Sequence, residues 1–152
     1  MNEIHAPVHN DWIQVAKYFA GEYLSGDFFT HEEIRVPIPP WTVRVEVEPT
    51  SVIPMTRVSA ECALRKAFFF HLERTNRGTM LATSHTGFAE SVLALPGFRE
   101  ALLAERFTLE LGPGLLWCDT YGIVTERERL IRLIEIVAET LQRLRDFRLI
   151  EG

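Results

Sequence analysis

Along NDWIQVAKYFAGEYLSG, Trp12, Val15, Ala16, Phe19 and Tyr23 recur at helical spacing, which predicts an amphipathic helix capped by Asn10 or Asp11 and ended by Gly26. Pro37, Pro39 and Pro40 follow in DFFTHEEIRVPIPP. They cannot donate to a β-ladder, so they mark a sheet edge or an extended approach to one. From Trp41 the pattern changes period. Val43, Val45 and Val47 alternate with Thr42, Arg44, Glu46 and Glu48, which predicts a strand with one apolar and one charged face before a turn at PTSVIP.

The run TRVSAECALRKAFFFHLERT offers two readings. Ser59 and the good helix formers of AECALRKA could open a helix. Alternation decides for two strands joined at Arg65 and Lys66. In the first, Val58, Ala60, Cys62 and Leu64 alternate with Arg57, Ser59 and Glu61; in the second, Phe68, Phe70 and Leu72 alternate with Phe69, His71 and Glu73. The abrupt passage from three phenylalanines to charge is then one pleat reaching solvent on its outward side. TMLATSHTG has no assignable period. FAESVLALPGFREALLAER is helical on both sides of Pro96 and Gly97, as one kinked helix or two short ones. Phe107, Leu109 and Leu111 alternate up to a turn at Gly112–Gly114, and a partner strand from Leu115 to Tyr121 completes a hairpin. The last segment carries Thr125 and Glu128 at capping-box spacing, with Leu130, Ile134, Val137, Leu141 and Leu144 as an apolar stripe.

These elements compose an α+β protein of order α-β-β-β-β-α-β-β-α: an antiparallel sheet of about five to six strands with helices packed on it, since the connections are too short for parallel crossovers. All of residues 1–152 fit one domain. The order resembles that of type III secretion chaperones and of the bacterial sensory transduction regulators that share their fold. The residues that carry it are the opening helix DWIQVAKYFAGEYL, the strands WTVRVEVE, TRVSAECAL and FFFHLERT, the middle helix SVLALPGFREALLAE, the hairpin FTLELGPGLLWCDTYG and the closing helix ERERLIRLIEIVAETLQRL. The resemblance implies a small chaperone-like, protein-binding module. RVPIPPW and the irregular stretch before Phe88 depart from that pattern.

Composition narrows the partners. The chain is 47% hydrophobic and 24% charged, enough to bury a core, and its net charge of −5 argues against nucleic acid or an anionic membrane surface. No apolar run approaches the ~20 residues of a membrane span, and the polar start MNEIHAPVHND lacks the greasy centre of a signal peptide, so a cytoplasmic location is expected. Cys62 and Cys118 sit among apolar neighbours and read as reduced, packed thiols.

The search for chemistry returns mostly exclusions. His5 and His9 are four apart, but Pro7 lies between them; His31 to Glu33 lacks the second histidine of HExxH; Gly112–Gly114 lacks a phosphate loop's length and trailing Lys. Cys118, Asp119 and His85 could be parts of a thiol triad, and His71 with Glu73 could form an acid/base pair, yet a packed thiol and a plain sheet surface explain them as well. No catalytic, metal or cofactor site is therefore expected.

Two functional expectations follow. In the first, Ile131, Leu133 and Ile136 add apolar area outside the main stripe of the last helix and form an interface for a protein partner or a second copy, in a homodimer. The charged strand face (Arg44, Glu46, Glu48, Arg57, Glu61) would then be solvent. In the second, Trp41, Phe69, Trp117 and Tyr121 line a small-ligand pocket between sheet and helices, with His71 or Arg44 as polar anchor.

Overall fold

In the computed structural model, residues 6–26, 32–48 and 52–151 are described, without the side chains of 6–10 and 48. The chain order is α1 (Ala6–Tyr18), β1 (Glu22–Leu24), β2 (Glu33–Ile38), β3 (Trp41–Glu48), β4 (Met55–Glu61), β5 (Phe70–Thr75), β6 (Gly78–Thr83), α2 (Thr86–Leu93), α3 (Pro96–Ala104), β7 (Phe107–Leu111), β8 (Leu115–Tyr121) and α4 (Arg127–Asp146). All strands join one antiparallel sheet in the order β1-β2-β3-β4-β8-β7-β5-β6.

The fold is thus α+β with an antiparallel sheet, but the sheet has eight strands rather than five to six. The additions come from segments with weak periodicity of their own. β1 lies where the opening helix was expected to run on to Gly26; α1 instead stops at Tyr18, and Ala20 at φ 54 turns the chain. β2 occupies the proline-rich segment, and β6 the unassigned TMLAT. Pro37 lies beyond the part of β2 that β1 reaches, which ends at Arg35, so the edge reading of the prolines holds there. Pro39 and Pro40, joined by a cis peptide bond, make the β2–β3 turn.

The 57–75 region does hold two strands, yet β4 and β5 are not neighbours: β4 pairs with β3 and β8, and β5 with β6 and β7. The residues between them cross the sheet and meet the chain's end, where Arg65 N donates to Leu149 O and Glu151 N to Ala63 O (both 2.9 Å). The 88–104 segment resolves into two helices, with Pro96 at the first turn of α3, where its missing N–H costs nothing. The β7–β8 hairpin lies where the alternation placed it.

Every strand from β2 to β8 except β6 turns a buried row toward the helices, including Ile34, Val45, Val58, Leu116, Leu109 and Leu72. Trp12 of α1 joins that core and donates its indole N–H to Val124 O at 2.9 Å. α4 lies across the sheet, with α1, α2 and α3 packed on its other sides. Its stripe Leu130, Ile134, Val137, Leu141 and Leu144 is fully buried, at about 1.5–3 kcal/mol per large side chain. The expected capping box does not form: Glu126 is the N-cap, and its side chain makes no cap bond.

Leu133 and Ile136, expected at open outer positions, are each 1% exposed. The flanking helices use the second apolar line of α4 within the monomer, so neither residue offers a surface to a partner. Ile131 is half-buried between α3 and α4, in a groove walled by Glu100, Glu128, Glu135 and Glu139.

Candidate functional site

With the four described helices on one side, no described element covers the other face of the sheet, and cross-strand register places its residues in rows. One row runs Arg35–Arg44–Ser59–Trp117–Glu110–His71–Ala82; the next runs Glu33–Glu46–Arg57–Asp119–Thr108–Glu73–Met80. The charges on this face engage one another. Arg57 grips Asp119 with two 2.8 Å hydrogen bonds while its guanidinium lies 5.6 Å from the Trp117 ring. Glu33 accepts from Arg35 at 2.7 Å and Arg44 at 2.9 Å. Burial alone would raise the Glu33 carboxyl, but those two arginine hydrogen bonds outweigh it and hold the group below its ordinary value. His71 Nδ1 bonds Glu110, and its Nε2 lies 3.5 Å from Glu73. Mixed charges paired across a ladder contribute about 0.2–1 kcal/mol each and leave little unsatisfied potential for a ligand.

The residues expected to line one pocket are not brought together. Trp41 points toward the helices, buried beneath the Arg145 guanidinium at 5.3 Å. Arg44, Trp117 and His71 share a row on the opposite, open face, spread over five strands. Tyr121 stands exposed at the end of β8, in the wall of a cleft of about 400 Å³ with Met55, Arg74, Arg106 and Asp119. Arg74 is committed there to the carbonyls of Leu102 (2.7 Å) and Thr75 (3.2 Å).

The parts of a thiol triad are separated too. Cys118 and Asp119, as successive strand residues, point to opposite faces. His85 accepts from the Phe88 N–H at 3.0 Å and so caps α2. Both cysteines are free and buried; burial pushes the Cys62 thiol up to about 11 and the Cys118 thiol higher still, so both stay protonated at neutral pH. Among the described residues, no group of three or more His, Cys, Asp or Glu is placed to hold a metal ion. His5 and His31 lie outside the described residues, as does the side chain of His9. No described helix is long and apolar enough to cross a membrane.

The feature that stands out is one the sequence reading left unassigned. β6 pairs with β5 from Phe70↔Thr83 to Thr75↔Gly78 without a break, and no described strand pairs with its other side. Its residues, Gly-Thr-Met-Leu-Ala-Thr, include no charge and no proline. Met80 is 58% exposed on the open face and Leu81 38% exposed on the helix side, and Phe69, 53% exposed, lies opposite Ser84 just past the end of the strand. Edge strands of folded proteins ordinarily carry a lysine, proline, bulge or cover that prevents pairing with another chain; β6 has no lysine, proline or bulge, and no described element covers its edge. Its lack of alternation was the available signal: an uncharged segment bounded by Gly78 and Ser84, exposed on both faces, is what an uncovered edge looks like.

No family model matches the chain, and no curated protein matches it. Among solved structures, it is similar to the crystal structure of the mycobacterial trehalose monomycolate transport factor A, TtfA, with a TM-score of 0.63, 9% sequence identity and coverage of 97% of this chain and 99% of that one. At that identity the likeness is one of fold: a sheet and helix arrangement spanning nearly the whole of both chains.

Proposed function

We propose that the chain is a non-enzymatic protein-interaction module, chaperone- or adaptor-like and acting in the cytoplasm, that engages its partner by strand addition at β6. The observation that carries this reading is the bare edge: a six-residue uncharged strand whose outer backbone groups pair with no described strand, with exposed Met80 and Leu81 on it and exposed Phe69 at its Ser84 end. An added strand gains backbone hydrogen bonds of about 0.5–1.5 kcal/mol net each. Side chains on alternate positions then supply specificity. The way the reactive side chains are used supports a binding role over a catalytic one. His85 is a helix cap, His71 is held between two carboxylates, and both thiols are buried.

The test is site-specific photo-crosslinking in the cells that make the protein, with the probe side chain placed at Met80, at Glu46 on the open face, or at Glu135 beside the α3–α4 groove. Adducts are expected from position 80 and not from the other two. Adducts from position 46 or 135 with none from 80 would overturn the proposal.

A further inference from the structure

We infer that the strand received by β6 is β6 of a second copy, paired antiparallel about a two-fold axis through Leu81, so that two eight-stranded sheets become one continuous sheet. The inference rests on the reading of β6 as the docking edge and names its occupant. A bare edge kept for a foreign partner would still have to be protected from its own copies, which it meets wherever the protein is made. In an antiparallel pair of identical strands, residues near the axis face their own kind, so a charge near the centre would oppose its like. The β6 sequence has no charge, proline or bulge to resist that pairing.

Geometry restricts the register. A two-fold axis relating adjacent antiparallel strands stands normal to the sheet, so open face continues into open face and helix side into helix side. Directly paired residues point to the same face, and therefore both members are even-numbered or both odd-numbered, with the axis passing through a residue. The strand centre offers Met80 or Leu81.

An axis at Met80 sets two long, flexible side chains against each other and places Gly78 opposite Ala82, leaving that part of the open face unfilled. It also continues the row Glu73–Met80 into Met80–Glu73 of the other copy, like charge toward like charge. An axis at Leu81 pairs Met80 with Ala82 on the open face, large against small, and continues Glu73–Met80 into Ala82–His71. On the helix side it sets Leu81 against Leu81, flanked by Thr79–Thr83 pairs that suit a pleated surface. The side chains favour Leu81.

The test combines light scattering after size exclusion with disulfide trapping in the intact chain. Wild type is expected to elute as a dimer at micromolar concentration, and both Leu81→Lys and Met80→Lys are expected to weaken association at least tenfold while the thermal unfolding midpoint stays close to wild type. Under mild oxidation Leu81→Cys should link two copies. Met80→Cys should not, because the two residues at 80 would be diagonal neighbours about 7–8 Å apart, beyond the usual disulfide span of about 4.4–6.8 Å. Cys62 and Cys118 are buried and do not compete. A monomeric wild type, a dimer that both lysine variants leave intact, or linkage through position 80 in place of 81 would each overturn the inference. A monomer whose position 80 still crosslinks to another protein in cells would remove self-pairing and leave strand addition standing.

Discussion

The two edges of the sheet are built on opposite principles. At one end β1 is only three residues long, begins at Glu22, and has α1 packed against it. The chain enters it so closely that a Cβ on Gly21 would sit 2.3 Å from the Arg35 carbonyl oxygen, and the neighbouring open face is cross-linked by Glu33, Arg35 and Arg44. At the other end β6 is twice as long, uncharged, packed among the described elements substantially against β5 alone, and exposed on both faces. One edge is short, charged and covered, as a sheet end is when further pairing must be prevented. Three kinds of protection at one end, and none among the described residues at the other, are the contrast on which the proposed docking at β6 rests.

The comparison can be broken from its foundation upward. Ile136→Glu places a charge in the layer beneath the sheet, where the wild-type side chain is 1% exposed, and should cost more than about 4 kcal/mol or abolish folding. Both edges would then be lost together, as urea denaturation and circular dichroism would reveal; a folded variant that had lost only association would return the interface to α4. Gly21→Ala damages the β1 end alone. The new methyl meets backbone, which cannot swing aside, and a loss of about 1–3 kcal/mol is expected with self-association unchanged. A change within about 0.5 kcal/mol, the range of ordinary surface substitutions, would mean that β1 is not docked as described.

Acid should act unequally on the two ends. The folded Glu33 carboxyl titrates below its unfolded value, so its contribution is present above the ordinary glutamate range and is lost as pH falls through the depressed folded value. Amide exchange in β1 and β2 should therefore rise in that acidic window in the wild type, and Glu33→Gln should remove the pH dependence. Persistence of the dependence in the glutamine variant would assign it elsewhere. The smallest effect belongs to the middle of the open face. Glu46→Lys exchanges one weak cross-strand partner of Arg57 and should change stability by no more than about 1 kcal/mol, with the mass in solution unaltered. A shift in mass would make the charged face part of the interface.

Legibility in the sequence followed burial asymmetry. β3, the β7–β8 hairpin and the main stripe of α4 each turn one face to the core and one outward, and each could be read from alternation or helical spacing. β1 and β6 owe their strand state to a neighbour. Tyr23 happens to fall at helical spacing after Phe19, and in β6 neither face is buried deeply enough to impose a period. The α4 pattern correctly reported a second apolar line, but periodicity cannot say whether a line is covered by the chain's own helices or by another molecule. Leu133 and Ile136 are covered from within. Trp41 and Trp117 look alike as aromatic strand residues, yet register sets them on opposite sides of the sheet. The site eluded the sequence because its evidence is the lack of protection, visible only once β6 is known to be an edge.

Hydrogen–deuterium exchange followed by mass spectrometry over a range of protein concentrations tests the central claim most directly. The account predicts that amides of Gly78–Thr83 become protected as concentration rises through the association range, while those of Glu22–Leu24 do not change. Exchange in β6 that is the same at every concentration, or protection that appears at β1 instead, would contradict it.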